Sequence, residues 1–203
     1  MNGKAHWERI YATNAPDEVS WFQAKPETSL RMIEASGVGP DGLIIDVGGG
    51  ASTLVDYLLD AGYKNVSVLD WAPRGPEQAR ARLGSRADEV KWIEADITRF
   101  EAPHRWDLWH DRAVFHFLTD GADRAAYRAS LFRCVASGGQ VIIATFGLEG
   151  PRRCSGLDVV RYSPDSLAAE LGAGFTLVES EAELHRTPKG AVQTFNYCRF
   201  RLA

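Results

Sequence analysis

The residues best equipped for chemistry open with Asp46-Val47-Gly48-Gly49-Gly50, an acidic residue and three glycines at the end of the apolar run Leu43-Ile44-Ile45. Glycine has no Cβ and accepts positive φ, so such a turn lets the backbone pass close to a bound ligand. A second acidic residue, Asp70, closes the apolar run Val66-Ser67-Val68-Leu69, twenty-four residues after Asp46. In a nucleotide-binding α/β fold, a carboxylate at that place can accept hydrogen bonds from both ribose hydroxyls. Together they point to an adenosine-containing ligand. The dehydrogenase fingerprint G-x-G-x-x-G would need glycine at position 53, where this chain has Thr53, and that counts against a nicotinamide.

Strand-like and helix-like segments alternate after residue 43. Leu43–Val47, Val66–Leu69, Val90–Glu94, Trp106–His110 and Gln140–Phe146 read as strands. Helical spacing covers Ser52–Ala61, Pro76–Leu83 and Asp123–Val135, the last ended by Gly138-Gly139. This alternation predicts a parallel sheet with helices on both faces. After a short helix at Asp165–Leu171, two extended runs, Phe175–Leu184 and Gln193–Leu202, flank a link containing Pro188 and Gly190. The expected fold is therefore α/β, a seven-stranded, mostly parallel sheet with a C-terminal antiparallel hairpin. The terminal hairpin also points away from a dehydrogenase domain. Residues 1–40 are aromatic and read as a helical cap or lid over a core of residues 41–203, within one domain of 203 residues.

Composition narrows the partners. A formal net charge of −4 gives no general attraction to nucleic acid. The three cysteines (Cys134, Cys154, Cys198) form no CxxC pair, so neither a disulfide scaffold nor a thiolate zinc site is expected. His110 and His116 lack a metal-ligand set around them, and no metal is expected. The opening residues carry no signal-like apolar segment, and no run is long enough to span a bilayer. A cytoplasmic protein is the expectation; the oligomeric state is not readable.

At five places in order the chain resembles the class I S-adenosylmethionine-dependent methyltransferases. Asp46–Gly50 resembles the first motif, whose turn passes under the methionine part of the cofactor, and Asp70 matches the ribose-binding acid. Glu94-Ala95-Asp96-Ile97 is similar to the third motif, which meets the adenine. Trp106–Arg112 stands at the fourth, next to the reacting methyl, and Val135–Gln140 resembles the turn before strand five, with Ser137 in place of proline. Asp111-Arg112-Ala113 departs from the N/D-P-P-Y/F signature of nucleic-acid amino-methyltransferases, so base methylation is disfavoured. The segments His6–Tyr11 and Glu18–Phe22 resemble citrate synthase-lysine methyltransferase, whereas Asp107–Tyr127 is similar to thiopurine methyltransferase. The resemblance implies S-adenosylmethionine as methyl donor and leaves a small molecule, slightly favoured, or a protein as acceptor. A non-catalytic cofactor-binding protein is the alternative of another class.

Methyl transfer from a sulfonium is an in-line displacement in which alignment supplies much of the rate, so a base is optional. Candidate helpers follow strand four: His110, Asp111, Arg112 and His116. Asp111 and Arg112 either line the methyl site or form a structural ion pair; His116, between Phe115 and Phe117, is either a base or a core residue. The cofactor set is Asp46, Gly48, Gly49, Gly50, Asp70, Trp71, Asp96 and Ile97, with Trp71 stacking on adenine or serving as core. Trp7, Tyr11 and Trp21 can attract a sulfonium through their ring faces or bury a lid. Cys154, in a loop expected to be flexible, either shapes the pocket or is solvated. His185 is expected to be exposed in the hairpin link.

Overall fold

Alternating apolar side chains fix the central layer. In β1 (Leu43–Val47), Ile44 and Ile45 are both fully buried but belong to opposite cores, one on each face of the sheet. The computed structural model describes residues 3–102 and 104–203. Beside β1 run β2 (Asn65–Asp70), β3 (Val90–Glu94), β4 (Trp106–Arg112) and β5 (Val135–Phe146), all parallel. After β5, a two-residue strand pair, β6 (Arg153–Cys154) and β7 (Leu157–Asp158), stands apart from the main sheet. The chain closes with β8 (Phe175–Arg186) and β9 (Val192–Leu202), and β9 lies antiparallel to β5. The resulting order is β3-β2-β1-β4-β5-β9-β8, the seven-stranded sheet that the sequence predicts.

Helices cover both faces. Met32 and Ile33 of α2 (Glu27–Ala35) join Leu54, Val55 and Leu58 of α3 (Leu54–Asp60) and Leu83 of α4 (Arg74–Leu83) in one core. Tyr127 and Leu131 of α5 (Gly121–Cys134) and Leu167 and Leu171 of α6 (Pro164–Leu171) build the other. The N-terminal α1 (Lys4–Thr13) leans on α4, where the Gln78 amide donates to the Tyr11 carbonyl and Glu8 accepts from the Arg74 backbone. Of the cap segment, Met1 and Asn2 lie outside the described residues. Among the described residues no helix is long and apolar enough to cross a membrane.

Three local expectations need correction. Gly138-Gly139 do not end α5, which stops at Cys134. They lie inside β5, where pairing shifts from Trp106↔Val135 to Leu108↔Gln140, so β5 bulges with Gly138 at φ 74°. The loop around Cys154 is the β6–β7 hairpin, turned by Ser155 and Gly156 at φ 50° and 79°. His185 is 5% exposed, because β8 continues to Arg186 and pairs His185 with Gln193.

Candidate active site

The carboxyl ends of the parallel strands open into one pocket, at the position where open α/β sheets receive their ligands. It encloses about 820 Å³ of space, its open mouth included. Its two ends differ in chemistry.

The first end lies over β1, β2 and β3. Val47, Gly48, Leu69, Asp70, Trp71, Ala95, Asp96 and Ile97 line it. Gly48 and Gly50 take φ of 67° and 47°, conformations that favour glycine. The Gly48 N–H donates to the Leu69 carbonyl at 2.7 Å, tying the turn to β2. Asp70 accepts from the Ala72 N–H at 2.8 Å, and burial next to Asp46 pushes its carboxyl up to about 7. Asp96 accepts from the Thr98 N–H and hydroxyl at 2.9 and 2.7 Å. The Tyr11 ring of α1 covers this end. A Cβ on Gly50 would stand 2.1 Å from its hydroxyl and one on Gly75 would stand 2.8 Å from its ring, so both glycines admit it. Burial and the Asp70 and Asp46 carboxylates raise the Tyr11 phenol well above its ordinary value.

Asp46 and Gly49 line an adjoining recess between the turn and the cap. The register that opposes Asp46 to His110 brings their side chains together: His110 Nδ1–H donates to Asp46 Oδ1 at 2.7 Å, and Nε2 lies 2.9 Å from Ser29 Oγ of α2. Thr53, at the position that lacks the dehydrogenase glycine, donates to the Gln23 carbonyl and holds the cap to the turn.

The second end lies over β4, β6 and β9, with Arg112, Cys154, Gln193 and Phe195 on its walls and Trp7, Trp21 and Phe117 around them. Arg112 Nε donates to the Tyr197 hydroxyl at 2.8 Å, Nη1 donates to the Trp21 carbonyl at 2.8 Å, and the guanidinium lies 4.6 Å over the Phe195 ring. Ala113 follows at φ 71°, unusual for a residue with a Cβ and typical of strained positions at functional sites. Cys154 is 6% exposed and burial pushes its thiol up.

The four residues grouped after strand four do not share one surface, because neighbours in a strand face opposite ways. His110 points to α2 and Arg112 to the pocket. Asp111 points to α5, accepting from the Tyr127 hydroxyl at 2.6 Å and from the Val114 and Phe115 N–H groups; burial lifts it to about 6. His116 sits fully buried against Phe146, its Nδ1 accepting the Phe146 N–H at 3.3 Å, and burial lowers it to about 3. Neither Asp111 nor His116 lines the pocket. Gln193, Phe195 and Phe117 do, and the sequence reading did not single them out. Period-two spacing puts Gln193 and Phe195 on one face of β9, a signal usable only once β9 is known to lie beside β5.

Residues 44–139 match the family model described as "Methyltransferase domain". Nodulation protein S of Rhizobium tropici is 23% identical over 124 residues, covering 61% of this chain and 51% of that protein. The eEF1A lysine and N-terminal methyltransferase of Mus musculus is 25% identical over 100 residues, covering 48% of this chain and 14% of that protein. The chain thus spans about half of one curated relative and a smaller part of the other. The crystal structure of the N-methyltransferase NodS from Bradyrhizobium japonicum WM9, in complex with S-adenosyl-L-homocysteine, is 20% identical. It covers 99% of both chains at a TM-score of 0.76, and so shares the fold.

Proposed function

We propose that this chain, whose residues 44–139 match the methyltransferase-domain model, transfers the methyl group of S-adenosylmethionine to a small molecule. The observation that carries this reading is the pocket over β1–β3, where Asp70 and Asp96 flank an apolar floor beside the glycine turn. That donor set suits an adenosine: Asp70 for the ribose hydroxyls, Trp71 and Ile97 against the base, and Asp96 beside the adenine. Gly48, Gly49 and Gly50, with Asp46, border the methionine part. Trp7 and Tyr11, in a cap formed by residues 1–40, close over the ligand within a single domain of residues 1–203.

When bound, S-adenosylmethionine supplies an electrophilic methyl on a sulfonium. The chain's own residues orient the reactants and exclude water, and in an in-line displacement orientation is worth much of the rate. Arg112 borders the reacting centre. His110 is a positioning residue that ties Asp46 to α2, while Asp111 holds the loop after β4 in shape. His116 belongs to the support of that loop. We also propose a cytoplasmic protein without a nucleic-acid partner, in keeping with three free cysteines and a net charge of −4.

The cap over the pocket favours a small acceptor. A protein acceptor is the second reading, supported by the partial likeness to a lysine and N-terminal methyltransferase. Incubation with methyl-labelled S-adenosylmethionine and a fractionated cell lysate separates them. Label in the low-mass fraction is expected, and label confined to protein would overturn the small-molecule reading.

A further inference from the structure

The second end of the pocket combines a fixed cation with no free base among its described lining residues. Among its described lining residues only Arg112 and Cys154 ionise, and burial keeps the thiol protonated at neutral pH. His116 is lowered to about 3 and walled off by Phe146 and Phe195. His185 Nε2–H donates to the Ser20 carbonyl, and burial beside Arg112 lowers that imidazole too. The Glu183 carboxylate is engaged on both sides, accepting from the Gln23 amide at 3.0 Å and forming an ion pair with Arg112 Nη2 at 3.9 Å. An alkyl ammonium must lose a proton before its nitrogen can attack, which calls for a base. It would also face the guanidinium charge, which Glu183 at 3.9 Å offsets only in part.

Two polar atoms in the walls are buried without a hydrogen-bond partner among the described residues: Arg112 Nη2, a donor whose nearest carboxylate is Glu183 at 3.9 Å, and Gln193 Oε1, an acceptor. Buried polar groups are normally satisfied, so an unpaired donor and acceptor on one pocket ask for a ligand that offers the converse pair. The other walls are aromatic. Trp7 stands edge-to-face to Phe117 and Trp21 at centroid distances of 5.0 and 6.0 Å. Such walls take up a flat ring.

Building on the proposed methyl transfer, we infer that the acceptor is a small planar aromatic or heteroaromatic acid, with a carboxylate or carbonyl oxygen for Arg112 and a neighbouring N–H or O–H for Gln193. Such an acceptor gives up its proton to solvent, and the guanidinium stabilises the anion. The lone pair of its nitrogen or oxygen then forms the bond to the methyl carbon, and a nitrogen that attacks as the neutral amine sheds its N–H proton to solvent afterwards. The sulfur–methyl bond breaks and its electron pair stays on sulfur, leaving S-adenosylhomocysteine. Arg112 and Gln193 choose the acceptor; Asp70 and Asp96 hold the donor.

Calorimetry on the protein loaded with S-adenosylhomocysteine, titrated with salicylate, anthranilate and benzylamine, tests this. Salicylate or anthranilate binds and benzylamine does not. Arg112→Lys and Gln193→Leu each weaken the acid by about tenfold or more while S-adenosylhomocysteine affinity stays within about threefold. Because Arg112 also anchors Trp21 and Tyr197, Gln193→Leu is the arm that leaves those anchors intact. Benzylamine binding as tightly as the acids, no binding of either acid to the loaded protein, or a loss confined to S-adenosylhomocysteine affinity would each overturn the inference. Failure of S-adenosylhomocysteine itself to bind would remove the methyl-transfer reading, and the inference with it.

Discussion

The β1–β3 end of the pocket and the β4–β9 end both present polar groups on an apolar floor, but they hold them by different means. Asp70 and Asp96 are fixed by backbone N–H groups two residues further along the chain. Arg112 is fixed by Tyr197 and Trp21, 85 and 91 positions away. A site held by local hydrogen bonds can be carried by a short motif and kept intact while the rest of the chain changes. A site held by distant elements changes whenever β9 or the cap changes. The first arrangement suits a constant donor and the second a variable acceptor.

The largest effect that separates the two ends is expected from Asp70→Ala. It removes charge-assisted hydrogen bonds and should weaken S-adenosylhomocysteine binding by ~1.5–3 kcal/mol, with the acceptor end unaltered. Unchanged affinity in a titration would break the assignment of the β1–β3 end to the donor. Asp111→Asn acts on the other link in the comparison, the loop after β4. Asparagine keeps one acceptor oxygen and turns the other into an N–H donor, so either the Tyr127 hydroxyl or a backbone amide loses its acceptor, which should cost ~1–3 kcal/mol of folding stability, read by denaturant unfolding. A large change in acceptor KM at unchanged stability would show that Asp111 reaches the pocket after all.

The next effect is pH-dependent. Asp70 is raised to about 7 in the folded chain; on the proposed assignment ribose hydroxyls donate to its charged form, so binding must expel a proton below that pH. S-adenosylhomocysteine affinity is therefore expected to rise toward a plateau above pH 7 and to fall by up to ~tenfold per unit below it. Proton release should show in calorimetry run in buffers of different ionisation enthalpy, and Asp70→Asn should abolish it. The stability contribution has the opposite sign. A carboxyl whose folded pKa is raised stabilises the fold below its unfolded value near 3.8, and that contribution is lost as pH rises through about 7. The smallest effect is expected from Tyr11→Phe, which keeps the ring over Gly50 and removes one hydroxyl, at ~0.5–1.5 kcal/mol or less in donor affinity. A loss as large as that of Asp70→Ala would give the phenol a direct role.

The same contrast explains what the sequence could disclose. Asp46, the glycines and Asp70 were legible as strand-end positions because apolar runs ending in acidic residues mark strand ends, and the mostly parallel sheet follows from alternation. Strand β3 begins and ends where its pattern predicts. The grouping of His110, Asp111, Arg112 and His116 was legible as a cluster in the chain but not in space, since strand alternation sends Asp111 to α5 and its neighbours to the cap and pocket. Gly138-Gly139 has the signature of a helix stop and serves instead as a bulge, because Val135 already pairs with Trp106. The period-two spacing of Gln193 and Phe195 says nothing by itself; their place in the pocket depends on the antiparallel contact between β5 and β9.

The most direct measurement is a titration of the purified protein with S-adenosylhomocysteine and with NAD in parallel. Saturable binding of S-adenosylhomocysteine, weakened by Asp70→Ala, together with no response to NAD, is the predicted result. Tight binding of NAD with no response to S-adenosylhomocysteine would contradict the assignment of the glycine turn and Asp70 to a methyl donor.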